Sequence, residues 1–499
     1  MAKFIRLGVV ARQAAKNSVS ILWGTIAGAV NTLIVLPLAF ISFPEGWGII
    51  KVLTAWALIL AQFLHGGAPN MWVRFYPQFG ISDQKKLLGL GSLFTLAGSL
   101  LLGIALLSGG HQLIGWLSPE DGELLKGYLV QLFVLCVAMS MFYTLNGFVS
   151  VRLKTTVYQF LNEAFLKTWY LLITLAFLWD WVSFNELIWW YVGGYVIAFA
   201  VLLAYSVAQG FKPKIGGWPA DWKTLSSYSL FSILDRGAGI IVNNLDIIMI
   251  GALIGLDNVA FYTLAFYIGA VVMLPQKSLM AVANPVVSHA IAQDDEKGIK
   301  DIYVRSSLMQ LLVGGLMFMA IWVSIDEVMA LLPPQFGNGK WVVFYIGLSR
   351  LFQMATGVSG GIIVYSKHYR QNFYLNLVLI ALTILTNWLF ISPKGLDLGM
   401  DGAALATALS FFIYNLVKLI MVQRLFKMNP ITSKWVLTIL LVAVMCLAVV
   451  WHPLPQHPFY AIILKSSLAC IVFLLLTKAM NLSPELEEML RNPRKLLKR

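Results

Sequence analysis

The chain has 499 residues, 59 % of them hydrophobic and only 12 % charged, with a mean hydropathy of +0.78, which excludes a soluble globular domain of average usage. The formal charge of +13 does not signal nucleic acid, because the basic residues are scattered over short loops instead of lining one groove. Cys136, Cys446 and Cys470 lie in apolar segments without paired spacing, so they support neither a disulfide framework nor a metal site.

Residues 1–17 carry Lys3, Arg6, Arg12 and Lys16 and are partly amphipathic. The apolar run behind them is too long for a signal-peptide core and lacks a small-residue cleavage site, so a cytoplasmic interfacial lead-in is expected. Crossing a bilayer takes about 20 apolar residues, and fourteen candidate spans follow: 18–40, 47–66, 87–108, 124–149, 157–179, 187–208, 229–254, 258–283, 303–325, 341–364, 373–391, 402–423, 433–451 and 459–480. The loops alternate in charge. One set holds Arg74, Lys85, Lys86, Arg152, Lys154, Lys212, Lys214, Lys223, Lys297, Lys300, Arg305, Lys367, Arg370, Arg424, Lys427, Lys434 and the tail RNPRKLLKR. The other holds Lys340 and Lys394 among Glu45, Glu120, Asp121, Glu123, Asp180, Glu186, Asp326 and Glu327. By the positive-inside rule both termini face the cytoplasm, and an even number of spans agrees. Trp116, Trp179, Trp181, Trp189, Trp190, Trp341 and Trp451 fall near span ends, as interfacial belts require.

A weak repeat relates spans one and two to spans seven and eight at an offset of 212–215 residues, which sets Asn31 on Asp246, Gly24 on Gly239 and Gly48 on Ala260. The fold class expected is therefore an all-α polytopic membrane protein of about fourteen transmembrane helices. Two six-helix lobes, 1–209 and 226–428, would be related by a pseudo-twofold along the membrane normal. A cytoplasmic linker, 210–225, joins them, and 429–499 adds helices thirteen and fourteen and a basic tail.

The most informative stretch is 226–289. Its first helix carries Asp235, Arg236, Asn243, Asn244 and Asp246, its second Lys277 behind Pro275. Arg236, Gly239, Asn243 and Asp246 recur at spacings of three and four, which places them on one helical face. Burying charge in hydrocarbon costs about 2.5–3.5 kcal/mol per residue on insertion scales, so such a face must look into a bundle seam or a wet pathway. The sequence LDIIMIG, a Gly turn, NVAFYTLA and the following Pro resemble the multidrug/oligosaccharidyl-lipid/polysaccharide exporter superfamily, and within it the bacterial polysaccharide transporters that include the O-antigen flippases. Ala260 stands where that pattern usually has Gly.

Eight cations lie within or at the edges of spans: Lys51, Lys126, Lys167, Arg236, Lys277, Arg350, Lys418 and Lys465. The clear acids there are Glu163, Asp235 and Asp246. Glu163 and Lys167 are four apart and expected to pair, and Lys126 and Lys465 are close enough to the outer boundary to snorkel. Arg350 lies about 14 Å below the outer surface, near the bilayer centre. A surplus of positive charge in a low-dielectric cavity favours an anionic guest such as pyrophosphate.

The resemblance implies what the guest is. Flippases of lipid-linked saccharides meet the pyrophosphate of an undecaprenyl carrier with cavity cations, which in the related lipid II flippases sit on helices one, two and eight. Here Lys51 and Lys277 fall on spans two and eight, and span one has no cation. Arg350, Lys277, Lys51 and Arg236 are thus the head-group candidates, and Asp246, Asn243 and Asn31 the coupling or gating candidates. Asp246 either titrates or binds sodium with Asn243, or pairs with a cavity lysine. No Walker A loop is present and the six histidines are scattered, so neither ATP hydrolysis nor metal or nucleophilic catalysis is expected, and no cofactor. The implied protein is no enzyme. It flips an undecaprenyl-pyrophosphate oligosaccharide across the bacterial inner membrane by alternating access, for O-antigen or lipopolysaccharide assembly. Its partners would be that substrate, membrane lipid and glycan-assembly proteins. The alternatives are a sodium- or proton-coupled multidrug exporter, which needs an acid in the first lobe where Asn31 stands, and a membrane glycan polymerase or ligase, which needs a long outer loop.

Overall fold

In a computed structural model of the chain, residues 17–117, 122–214, 216, 222–448 and 457–482 are described. Helices dominate, and no strand occurs among the described residues. Numbered by span they are α1 (Asn17–Ala39), α2 (Pro44–Leu64), α3 (Ile81–Leu117), α4 (Leu129–Val151), α5 (Thr156–Leu178), α6 (Phe184–Ala208) and α7 (Trp222–Leu253). After a turn at Gly255 comes α8 (Leu256–Ala270, continued beyond a 3-10 turn by Leu274–Ala292), then α9 (Glu296–Val323) and α10 (Lys340–Ala355 and Ser359–Tyr365). The chain continues through α11 (Tyr369–Ile391), α12 (Gly399–Phe426), α13 (Ser433–Ala448) and α14 (Pro458–Ala479).

Every expected apolar segment is a helix. Among the described residues twelve are long and apolar enough to cross a membrane by themselves. The two parts of α10 make a thirteenth when counted together, across a bend of 54°. The difference from fourteen lies in α13, a shorter apolar helix whose expected outer end falls outside the described residues. The acidic loop at Glu120 and Asp121, part of the 210–225 linker, and the basic C-terminal tail also lie outside them.

Local chemistry fixes the helix ends. Ser183 caps α6 in a capping box: its hydroxyl accepts from Glu186 N–H at 3.4 Å, while the Glu186 carboxylate accepts from Ser183 N–H at 2.8 Å. Asp295 caps α9 by accepting from Gly298 N–H at 2.9 Å. Outward faces are apolar. On α3, Leu100, Leu101, Ile104 and Leu107 are exposed, which suits contact with lipid tails and not with water. Trp179, Trp181, Trp189 and Trp190 are exposed at the α5–α6 connection, as an interfacial belt requires.

Packing divides the chain into two compact units, Met1–Ala260 and Phe261–Arg499, with the boundary inside α8. In the first, α7 packs along α2 around Ala55, Ile59 and Ile248, which is why the seventh helix groups with the first six. In the second, the core runs from Leu311, Phe318 and Met319 of α9 to Leu351 and Met354 of α10, Val442 and Met445 of α13 and Phe473 of α14. Helices thirteen and fourteen are thereby built into the C-terminal unit.

Candidate functional site

A large concavity belongs to the C-terminal unit. On α13, Trp435, Ile439, Val442 and Cys446 recur at spacings of four, three and four, so they form one stripe. That stripe faces Phe318 of α9, Phe344 and Leu348 of α10, and Phe412 and Leu416 of α12 across a cavity of about 690 Å³. Thr356 and Asn415 are the polar exceptions in its wall. Each turns a donor inward to its own helix: Thr356 to Gln353 carbonyl at 2.8 Å, Asn415 to Phe411 carbonyl at 2.8 Å. A wall of this composition suits hydrocarbon and offers no anchor to a charged group.

The sequence-derived residues are distributed over both units. Arg350 is buried at 6 % exposure inside the C-terminal unit. Its guanidinium carbon lies 5.3 Å from the Phe266 ring centre and 5.2 Å from that of Phe411, so rings from α8 and α12 enclose the charge. Lys277, on the second segment of α8, is exposed, while its neighbour Gln276 is buried and donates to Gln310 at 3.0 Å. Arg350 and Lys277 thus have opposite environments.

In the N-terminal unit, Lys51 of α2 is half-buried and has no ion pair among the described residues. Asn31 is buried in a π-turn, Asn31–Val35, and its Oδ1 has no hydrogen-bond partner among the described residues. Such turns recur at functional sites. The expected face of α7 is divided: Gly239 and Asn243 are exposed, with Asn243 donating to Gly239 carbonyl at 2.7 Å, whereas Asp246 is buried at 3 % exposure. The side chains of Asp235 and Arg236 lie outside the described residues.

The Glu163–Lys167 pair forms as its spacing predicts, at 2.7 Å. Lys465 corrects the sequence reading. It does not snorkel alone; its ammonium pairs with Glu327 of the short helix Ile325–Ala330, with both side chains mostly buried. Ser466 beside it donates to Ala320 carbonyl at 3.0 Å, so α14 is docked by polar contacts at this end.

Sequence reasoning missed a tyrosine group in the N-terminal unit. Tyr170 and Tyr191 stack at 3.8 Å between centroids, Tyr195 lies 6.4 Å from Tyr170, and the Tyr170 hydroxyl is buried with no hydrogen-bond partner among the described residues. The spacing of Tyr191 and Tyr195 by four is the signal that was there to read. Among the described residues no group of three or more His, Cys, Asp or Glu is placed to hold a metal ion.

Comparison with known proteins follows from this geometry. The profile of the polysaccharide biosynthesis protein family matches residues 14–291, more than half of the chain, and that of the MatE family matches 239–389. No curated protein matches by sequence. The fold is similar to that of the lipid II flippase MurJ in an inward closed conformation, with a TM-score of 0.67 at 14 % identity over 93 % of this chain and 99 % of that one. It is also similar to an inward-facing multidrug resistance MATE family transporter of the MOP superfamily, with a TM-score of 0.66 at 12 % identity over 82 % and 98 %. A MOP superfamily transporter from Pyrococcus furiosus is similar at a TM-score of 0.52, with 11 % identity over 84 % and 93 %. At these identities the likeness establishes the two-lobed MOP fold.

Proposed function

The chain belongs to the polysaccharide biosynthesis protein family, and from that premise we propose that it moves a lipid-linked oligosaccharide, carried on undecaprenyl pyrophosphate, across the bacterial inner membrane for O-antigen or related polysaccharide assembly. The observation that carries this reading is the apolar cavity of about 690 Å³ walled by α13. Its wall offers hydrocarbon contact and no charged anchor, which suits the polyprenyl tail of a lipid-linked saccharide.

The head group needs the opposite environment. Lys277 and Lys51 are point charges suited to a pyrophosphate, and Arg350 and Arg236 are the further cations of the chain that would favour such a guest. Arg350, enclosed by two rings, would act as a fixed positive charge behind the groups that meet phosphate. Asp246, Asn243 and Asn31 are the groups through which an ion gradient would act. Both termini face the cytoplasm in this scheme, lobes 1–209 and 226–428 alternate, and glycan-assembly proteins supply and collect the substrate.

Purified protein in liposomes, given a fluorescent polyprenyl-pyrophosphate saccharide, tests the reading through quenching of outer-leaflet dye. Flipping above the protein-free rate is expected, with Lys277→Ala slowing it at least tenfold. A second reading, an ion-coupled drug exporter, has the match of the MatE family profile to residues 239–389 in its favour. Gradient-driven drug efflux without lipid flipping would establish that reading and overturn the first.

A further inference from the structure

The bend in α10 exposes a polar group inside the apolar groove. In an uninterrupted helix the Ala355 carbonyl would accept from Ser359 N–H. Here Ser359 N–H donates to Thr356 carbonyl at 3.2 Å and Gly357 N–H to Met354 carbonyl at 3.0 Å, so the Ala355 carbonyl is released from the helix. Two side chains capture it. Ser307 of α9 donates its hydroxyl at 2.5 Å, and the Trp435 indole N–H of α13 donates at 3.3 Å to the same oxygen and at 3.2 Å to Ser307 Oγ. A buried carbonyl must be paired, and these caps are what make the bent form tenable.

The same segment has a second arrangement within reach. Gly357 holds φ +55°, a left-handed conformation, and a Cβ there would meet Ser307 N at 2.8 Å. A return of Gly357 to right-handed helix would give Ala355 carbonyl back to Ser359 N–H and free Ser307 and Trp435. The bent form supplies the Ala355 carbonyl with two side-chain donors and the straight form with one backbone donor, so the two forms satisfy the same oxygen from different partners, as a two-state element does. What distinguishes the bent form is Trp435, because its ring is also a wall of the groove, next to Ala355 and Thr356.

We propose that Trp435 is a positioning residue that couples occupancy of the apolar groove by a polyprenyl chain to the bend of α10. A chain lying against the indole buttresses it in its capping position and holds the bend. Departure of the chain loosens the indole, and α10 straightens. This rests on the reading of the groove as the seat of the lipid tail, and it adds what the tail does there.

The test uses the full chain in nanodiscs, with Cys136, Cys446 and Cys470 replaced by Ala and a trifluoromethyl probe on Val364→Cys, an exposed position beyond the break. Gly357→Ala disfavours the left-handed turn and so identifies the fluorine resonance of the straight form. In nanodiscs without undecaprenyl phosphate, Trp435→Phe keeps the ring and loses the N–H. It is expected to raise the straight population about threefold, the ratio that loss of one of two donors to a shared carbonyl gives. Ser307→Ala, which leaves the groove wall intact, is expected to shift it in the same direction. Undecaprenyl phosphate is expected to move wild type toward the bent resonance and to leave Trp435→Phe unmoved.

If Gly357→Ala and wild type share one resonance, there is no second form and the proposal is overturned. It is equally overturned if Trp435→Phe responds to the lipid as wild type does. Photocrosslinking of a diazirine-bearing undecaprenyl phosphate to groove residues is scored in parallel. Absence of crosslinks together with a normal Trp435→Phe shift would overturn the groove reading, and with it the coupling, while leaving Trp435 as the cap of the bend. Crosslinks without any spectral response would overturn the coupling alone.

Discussion

Two helices of this protein are broken near a glycine of left-handed conformation, and the two breaks are closed by the same device to different ends. In the N-terminal unit α2 stops at Leu64 and resumes as Ala68–Phe75, with Gly67 at φ +71°. In the C-terminal unit α10 stops at Ala355 and resumes at Ser359, with Gly357 at φ +55°. Each break offers a carbonyl to a serine hydroxyl from a neighbouring helix at 2.5 Å: Gly66 to Ser229 of α7, Ala355 to Ser307 of α9. At α2 the further bonds run from Gly67 N–H, which donates to His65 Nδ1 at 3.1 Å, and from Asn70, which donates to Ser232 of α7 at 3.4 Å. At α10 the second donor is Trp435, which borders a cavity. A break sealed by its own surroundings is a fixed kink. A break whose cap faces a ligand site is open to control.

The largest expected effect tests whether the first break is fixed. A methyl group on Gly67 would collide with Ser229 carbonyl oxygen and come within 2.8 Å of Ser232 Oγ, at a φ that costs an L-residue about 1–2 kcal/mol. No second arrangement relieves this, so Gly67→Ala should destabilise by about 3 kcal/mol or more and shift detergent thermal melts strongly downward. Gly357→Ala meets comparable backbone contacts but has the straight helix to escape into, and its melt should fall much less. Equal losses would remove the distinction between the two breaks.

Next in size is Ser229→Ala, which leaves the Gly66 carbonyl without its side-chain donor and should cost about 1–3 kcal/mol. Lys465→Ala follows. It strands Glu327, whose side chain is only 18 % exposed, and since the pair lies near a helix end with partial access to water, a loss of about 1–2 kcal/mol is expected. Glu327→Gln in the same protein should recover most of that loss. No recovery would mean that Lys465 acts by packing alone.

The legibility of the sequence followed the physics of each feature. Fourteen helices were readable because a lipid-facing helix must be apolar over about 20 residues, and that pattern is local. Arg350 was readable as a deep charge, but its enclosure was not, since Phe266 and Phe411 come from other helices. Lys465 was read as solitary because Glu327 sits in a connection distant in sequence. The α7 stripe was read as one face, yet residues three apart on a helix differ by about 60° in direction. That angle suffices to leave Asn243 exposed and bury Asp246. The break in α10 has no proline to announce it. Its cause, a capture of Ala355 by α9 and α13, is wholly non-local.

The smallest effect is the most discriminating. Ser307→Ala removes the shorter of the two caps on Ala355, yet Trp435 still donates to that oxygen at 3.3 Å, so the single substitution should cost only about 0.5–1 kcal/mol. Trp435→Phe, with Ser307 still in place, should cost a similar amount. Together they leave a buried carbonyl with neither donor, and the double variant should lose more than the sum, by about 1 kcal/mol. The same pair of measurements on α2 has no counterpart, because Ser229 is the sole side-chain donor to Gly66 among the described residues. If the Ser307 and Trp435 losses add without excess, the two donors do not share the Ala355 carbonyl in solution. The break in α10 would then be as self-contained as the one in α2, and the groove would have no means of acting on it.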